Sequence, residues 1–337
     1  MKNRILYLDI IRILACVMIV AMHAPIPNTG LSSYMLSTDS FLTAPGIGLF
    51  VMVSGALLLP VSMPTNLFLK KRIVKIAFPT LFWTMFYMIV CWCDSRFEGI
   101  DMWRVLLSIP FSSQFGVVLW FVYMLAGLYM LAPILSPWLR QASKREIELY
   151  LILWAITMCY PYIRDYISVN ESPTGILYYF EGYVGYFLLG YYLNKYVNTK
   201  AVWKMFILLL FPLSTATILK IQEVQVRFYD SFWYLSALVA MMSIAWFLLV
   251  KQISAIYDGI SRLHTIIALI SNSCFGIYLL HIYIMRSVIW KWTWLYDLGI
   301  MQILLVTLMT FIGSLFVTWI ISYLPGAEYI IGFRQKK

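Results

Sequence analysis

The feature that most constrains this chain is a series of ten apolar windows, bounded by polar residues or by stretches that contain Pro or Gly. A hydrocarbon core about 30 Å thick needs roughly 17–25 predominantly apolar residues in a helix. Hydrophobic residues make up 62% of the 337 residues and charged residues only 12%, which is typical of a membrane protein. We therefore predict an all-α, polytopic integral membrane protein, with about ten transmembrane helices in a single domain over residues 1–337. The windows are 6–24, 41–60, 76–93, 116–135, 147–163, 176–193, 203–219, 231–250, 265–284 and 300–323.

The basic residues predict how these helices are oriented. Counted loop by loop, 17 of the 25 Lys and Arg residues lie on one side, seven lie on the other, and Arg12 lies inside the first window. Because cytoplasmic loops carry the excess of Lys and Arg, we expect the N- and C-termini to be cytoplasmic. The net charge of +10 is spread over these short loops. It therefore indicates orientation in the membrane, and we expect no nucleic-acid partner.

The first window carries ionisable residues within an otherwise apolar run. Asp9, Arg12 and His23 interrupt the stretch from Leu8 to His23. A charged side chain at the bilayer centre costs roughly 2.5–3.5 kcal/mol even on the lenient insertion scale, so a functional role is expected. Over the eleven-residue step from Arg12 to His23, an α-helix rises by about 16 Å and makes about three full turns. Both side chains are therefore predicted on one helix face, with Arg12 in the cytoplasmic half and His23 near the outer surface.

This arrangement is compatible with two kinds of function. A guanidinium can attract an anion from the cytoplasm, and an imidazole can take a proton from a hydroxyl because it titrates near neutral pH. Group transfer across the membrane would use both properties. A proton-coupled transporter of a sugar or an organic anion also buries Arg, Asp and His, and it stays open as the alternative.

Other candidate residues lie further along the chain. The basic segment with Lys70, Lys71, Arg72 and Lys75 is either topological charge or a phosphate-binding surface. Glu181 enters the sixth window as an interfacial carboxylate. His281 ends the ninth window at the depth expected for His23. Nothing in the sequence fixes the separation of His23, His281 and Glu181, so we expect no metal site.

Five motifs, found in this order, resemble those of the membrane acyltransferase-3 family. The family includes bacterial proteins that O-acetylate surface polysaccharides and their lipid-linked precursors. The first motif consists of Leu8, Asp9, Arg12 and His23, in which ten residues separate the Arg from the His. The others are Phe50 to Gly55, the basic segment Lys70 to Pro79, Leu119-Trp120-Phe121, and Ser273 to His281.

The resemblance implies transfer of an acyl group, usually acetyl, from coenzyme A to a hydroxyl, with about ten helices around a conduit. It implies His23 as the catalytic base, Arg12 as a group that positions the donor, and the basic segment as the contact for the nucleotide phosphates. In this hypothesis Asp9 holds the Arg12 guanidinium. His281 is a second catalytic candidate beside His23, and it could also orient the acceptor. The remaining candidates could orient the acceptor or stabilise the oxyanion; they are Ser273, Tyr278, Trp120 and Glu181.

The expected partners follow from the same resemblance. Acetyl-CoA would be a co-substrate, with no tightly bound cofactor, and the acceptor would be a glycan or a lipid-linked saccharide outside the cytoplasm. The protein is expected as a multi-pass protein in the lipids of a bacterial inner membrane. The oligomeric state stays open, and a homo-oligomer is one of the alternatives.

Overall fold

The structure is a computed structural model. It describes residues 4–25, 42–93, 103–104, 107, 119–160, 162, 175–198, 202–221, 233–255, 261–296 and 298–335. The elements in this part of the chain are helical, with no strand. The helices are α1 (Leu6–Met22), α2 (Pro45–Leu58), α3 (Thr65–Cys93), α4 (Trp120–Gln141), α5 (Lys144–Thr157), α6 (Tyr183–Tyr196), α7 (Val202–Ile221), α8 (Ala237–Ser254), α9 (Ser261–Ser287), α10 (Ile300–Ser322) and α11 (Ala327–Ile331).

Each of the ten apolar windows overlaps one of the helices α1 to α10. Five of the described helices are long and apolar enough to cross a membrane, namely α3, α4, α8, α9 and α10. Helix α2 and the first part of α7 are apolar but shorter. The all-helical membrane character predicted from the sequence is thus confirmed, whereas ten spans and cytoplasmic termini stay predictions.

Two helix starts differ most from the predicted windows. Helix α3 begins at Thr65, so the basic segment forms its first turns and continues directly into the apolar window. Helix α6 begins only at Tyr183, because Gly182 adopts a φ of 93°, a left-handed conformation that separates the helix from the 3-10 turn Tyr178–Phe180. Glu181 lies on that turn and is exposed, so it precedes the sixth helix and does not lie within it.

Helix α5 begins with a capping box. The Ser143 hydroxyl accepts a hydrogen bond from the Glu146 backbone N–H, and the Glu146 carboxylate accepts one from the Ser143 backbone N–H at 2.6 Å. Hydrogen bonding to the Ser143 side chain, and then to its backbone, lowers the pKa of the Glu146 carboxyl. The pair therefore fixes the start of α5 and stabilises the ionised carboxylate.

Helix α1 lies at the centre of the bundle, in contact with α2, α8, α9 and α10. Helix α2 is apolar on all sides and is buried along most of its length. It packs most closely against α6, where a Cβ on Gly55 would lie 1.8 Å from the Phe187 carbonyl oxygen and one on Gly190 would lie 1.9 Å from that of Met52. The two backbones touch at these glycines, as small residues allow in membrane helices.

The chain after α10 folds back against α3. The indole N–H of Trp83 donates to the Ile330 carbonyl at 2.9 Å, and the ring of Tyr329 packs edge-on against Phe78. Ala327 and Ile331 are fully buried. The segment 327–335 is therefore packed against the same end of α3 that carries the basic residues.

Candidate active site

Helices α1 and α9 lie side by side and present matching faces. On α9 the face consists of Ser271, Cys274, Tyr278 and His281, whose spacings of three and four residues place them on one side of a helix. Ser271 contacts Arg12, the Cys274 carbonyl accepts a weak hydrogen bond from the Cys16 thiol at 3.7 Å, and His281 lies beside His23. Two helices distant in sequence thus form a continuous line of paired side chains from Arg12 to His23.

At one end of this line, Asp9 is the centre of a buried polar network. Its carboxylate lies 2.5 Å from Arg4 Nε and 3.6 Å from Arg12 Nη1, and it accepts a hydrogen bond from the Ser271 hydroxyl at 2.5 Å. The Ser271 oxygen in turn accepts from Arg12 Nη1 at 3.1 Å. Arg4 also donates to the Asn272 side chain at 3.0 Å. The network offsets the cost of burying Asp9 and leaves the Arg12 guanidinium partly exposed.

That exposed part of Arg12 lines a cavity of about 330 Å³ between α1, α2, α3, α4 and α9. Arg72 and Lys75 of the basic segment line the same cavity. The buried Nε of Arg72 makes no hydrogen bond to any described residue. Three cations around one cavity, one of them with an unused donor, form a site suited to an anionic group such as a phosphate. The polar part of the lining is completed by Ser54, Ser271, Asn272 and Tyr278.

At the other end of the line, the two histidines are in contact. Their ring centroids are 5.1 Å apart, and the ring planes are inclined by 68°. His23 caps the C-terminus of α1, and its Nδ1 lies 2.8 Å from the Ile19 carbonyl oxygen. His281 is fully buried, and its Nδ1 lies 2.6 Å from the Tyr278 carbonyl oxygen. A carbonyl only accepts hydrogen bonds, so each Nδ1 carries the hydrogen and each Nε2 keeps its lone pair.

The Nε2 atom of His281 lacks a hydrogen-bond partner among the described residues, although it is buried. A buried acceptor without a partner is costly, so a hydroxyl or a water is expected to donate to it. The histidine pair therefore offers two basic nitrogens at the end of the line opposite to the cations. This arrangement can accept a proton from an alcohol.

An aromatic cluster is connected to the histidine end through Tyr234. The Trp120 ring lies 5.6 Å from that of Tyr234 and 6.0 Å from that of Tyr183. The Tyr234 hydroxyl donates to the sulfur of Met22, the residue before His23. Tyr278 contacts His281 at a centroid distance of 5.7 Å and also lines the cavity, so it connects the two ends of the site.

Four residues proposed from the sequence lie apart from this line. Lys70 and Lys71 are exposed on α3 and do not line the cavity. The Ser273 hydroxyl is buried and donates to the Leu269 carbonyl of its own helix, so it points away from the Arg12 to His23 line. Glu181 is exposed before α6, also away from the cavity.

Conversely, the sequence interpretation missed Ser271, Asn272 and Arg4, which hold the Asp9 and Arg12 network. Arg4 had been counted only as topological charge. The spacing of Ser271, Cys274, Tyr278 and His281 was the one signal that could have revealed the α9 face. No sequence signal indicated the contribution of the C-terminal residues 331–333, which also line the cavity.

A family model described as an acyltransferase domain, Acyl_transf_3, matches residues 5–323, nearly the whole chain. The chain belongs to the acyltransferase-3 family. No curated protein and no solved structure matches it. Membership of this family supports a membrane acyltransferase activity, and the matched range includes α1, the basic segment and both histidines of the pair.

Proposed function

We propose that the protein transfers an acetyl group from cytoplasmic acetyl-CoA to a hydroxyl of an extracytoplasmic glycan or glycolipid, with His23 as the general base. The observation that carries the proposal is the paired line on α1 and α9, which has cations at one end and two basic imidazole nitrogens at the other. Each end suits one of the two substrates.

The cavity supports the donor part of the proposal. Coenzyme A carries its phosphates at one end and its thiol at the end of a flexible pantetheine arm about 15–20 Å long. That length is comparable with the rise of about 16 Å between Arg12 and His23 along α1. Phosphates held by Arg12, Arg72 and Lys75 would thus leave the thioester within reach of the histidine pair.

The reaction follows from the protonation of the histidines. The Nε2 atom of His23 accepts the proton of the acceptor hydroxyl while its oxygen attacks the thioester carbonyl carbon. The tetrahedral intermediate collapses as the carbon–sulfur bond breaks, the thiolate takes up the proton that His23 removed from the hydroxyl, and CoA leaves towards the cytoplasm. The products are an acetyl ester and CoA. In this mechanism the second histidine, His281, accepts a hydrogen bond from the acceptor and orients it.

The nature of the acceptor is supported by the surroundings of His23. Trp120, Tyr183 and Tyr234 offer aromatic faces and hydroxyls next to Met22, a combination suited to sugar rings. Together with the family resemblance, this favours a saccharide of the cell envelope. The corresponding location is a bacterial inner membrane, with ten spans and both termini in the cytoplasm.

The test uses the full chain, purified and reconstituted in nanodiscs. Wild type is expected to bind CoA and to transfer radiolabelled acetyl from acetyl-CoA to an acceptor glycan. H23N keeps an amide N–H at the place of Nδ1, and hence the bond to the Ile19 carbonyl, but removes the basic Nε2. Because general-base catalysis contributes typically 10²–10⁴-fold, H23N should retain CoA binding and lose roughly that factor in kcat.

Two outcomes would contradict the proposal. Transfer by H23N at the wild-type rate would remove His23 as the base. Failure of wild type to bind CoA, combined with proton-dependent uptake of a sugar or organic anion into proteoliposomes, would favour the transporter. A separate experiment identifies the acceptor of the proposed transfer. Mass spectrometry of the glycans from a deletion strain and its parent would show which glycan loses one acetyl unit.

A further inference from the structure

The C-terminal segment lines the cavity although it lies outside the range matched by the family. The match ends at residue 323, yet Ile331, Gly332 and Phe333 form part of the wall that also holds Arg72 and Lys75. The family match therefore does not cover this part of the wall.

The segment is held firmly in this position. The Trp83 indole binds the Ile330 carbonyl, and the Gln335 backbone N–H donates to the Ser322 carbonyl at 3.0 Å. Between them Gly332 has a φ of 78°, and a Cβ there would lie 2.8 Å from the Phe275 ring and 3.4 Å from the Lys75 carbonyl oxygen. Only glycine fits this close turn without strain, and the turn places Phe333 at the cationic end of the cavity.

The size of the cavity decides which part of the donor lies near Phe333. A volume of about 330 Å³ is close to the lower limit of the ~300–1,000 Å³ range of small-molecule sites. The cavity is therefore large enough for the pantetheine arm of coenzyme A. The bulkier nucleotide would stay at the opening of the cavity. Lys75, which lines the cavity, and Arg334, which follows Phe333 in the chain, are both exposed.

We propose that Phe333 binds the nucleotide end of the acyl donor by stacking on its adenine ring, beside phosphates held by Arg72 and Lys75. The inference rests on the proposed function, since it assumes a CoA donor in this cavity. An aromatic ring provides a favourable face for a base, and its removal typically weakens binding by a measurable factor.

The test measures the affinity of the full-length protein for CoA and for pantetheine, which lacks the nucleotide, by calorimetry in nanodiscs. F333A should raise the Kd for CoA roughly 5- to 150-fold and leave the Kd for pantetheine unchanged. F333L keeps the apolar volume and guards against a folding defect, and it should show the same selective loss, whereas F333W should retain CoA affinity. Y329A is the matched control, because Tyr329 lies on the same segment but contacts Phe78 and not the cavity.

The outcomes separate this inference from the proposed function. Equal CoA affinity of wild type and F333L, or an equal loss for CoA and pantetheine, would overturn the inference alone. A loss in Y329A as large as that in F333A would do the same, because it would indicate a general effect on the segment. Absence of CoA binding by wild type would overturn the proposed donor, and this inference with it.

Discussion

Replacing Gly190 by Ala should separate α2 from α6. The new Cβ would lie 1.9 Å from the Met52 carbonyl oxygen, and ordinary contact begins at 3.4 Å, so the backbones must move apart by about 1.5 Å. The obstacle is backbone, so no side-chain rotation can relieve the clash. Overpacking of this kind costs typically 1–3 kcal/mol and occasionally more, while alanine in a helix gains only about 1 kcal/mol over glycine. Because the clash is with backbone, the cost lies at the upper end of that range, and we expect a net loss of about 2 kcal/mol.

The assay is thermal stability, measured as the fraction that stays monodisperse in size-exclusion chromatography after heating. Gly127 provides the matched control, because it lies on the exposed side of α4 and a Cβ there would meet nothing within 4 Å. G127A should leave the melting temperature unchanged or raise it slightly, whereas G190A should lower it by several degrees. A G190A protein as stable as G127A would refute the close backbone contact between α2 and α6.

Three further predictions concern the site and the start of α5. S271A removes the hydroxyl between Asp9 and Arg12, so the KM for acetyl-CoA should rise several-fold. S273A is the control and should leave this KM unchanged, because the Ser273 hydroxyl donates to the Leu269 carbonyl within α9. Equal effects of the two variants would argue against the network. H281N keeps the donor to the Tyr278 carbonyl but removes Nε2, so kcat should fall with little change in the affinity for CoA, as measured by turnover and calorimetry. E146Q should destabilise the protein at neutral pH but not at acidic pH. The capping contacts lower the pKa of Glu146, so their contribution to stability is lost as the pH falls through that pKa. A stability difference that does not depend on pH in thermal unfolding would contradict this.

Much of the helical framework could be predicted because apolar length alone specifies a membrane helix. Each of the ten windows overlaps one of α1 to α10, and the line from Arg12 to His23 follows from the regular rise and rotation of α1. The helix starts were less predictable. The basic residues before Ile76 mark the start of the third apolar window in the sequence. Lys and Arg are good helix formers, however, so α3 begins earlier, at Thr65.

The partners of the charged residues could not be predicted, because they come from distant helices. Ser271 is 262 positions from Asp9, and its role depends on how α9 packs against α1. The position of Phe333 depends in the same way on the turn at Gly332 and on the packing of α11 against α3. Such contacts are set by tertiary packing, for which a single sequence carries no periodic signal.

The central position of α1 also sets the timing of assembly. Its neighbours α8, α9 and α10 are the last long helices to be synthesised, and the Arg12 contact with Ser271 spans 259 positions. At about 5–20 residues per second, translation of that interval takes roughly 10–50 s. During this time Asp9 has only Arg4 and Arg12, on its own stretch of chain, as partners. The Asp9 carboxylate thus has basic partners on its own stretch of chain before α9 is made, and a chain truncated before α9 would lack Ser271.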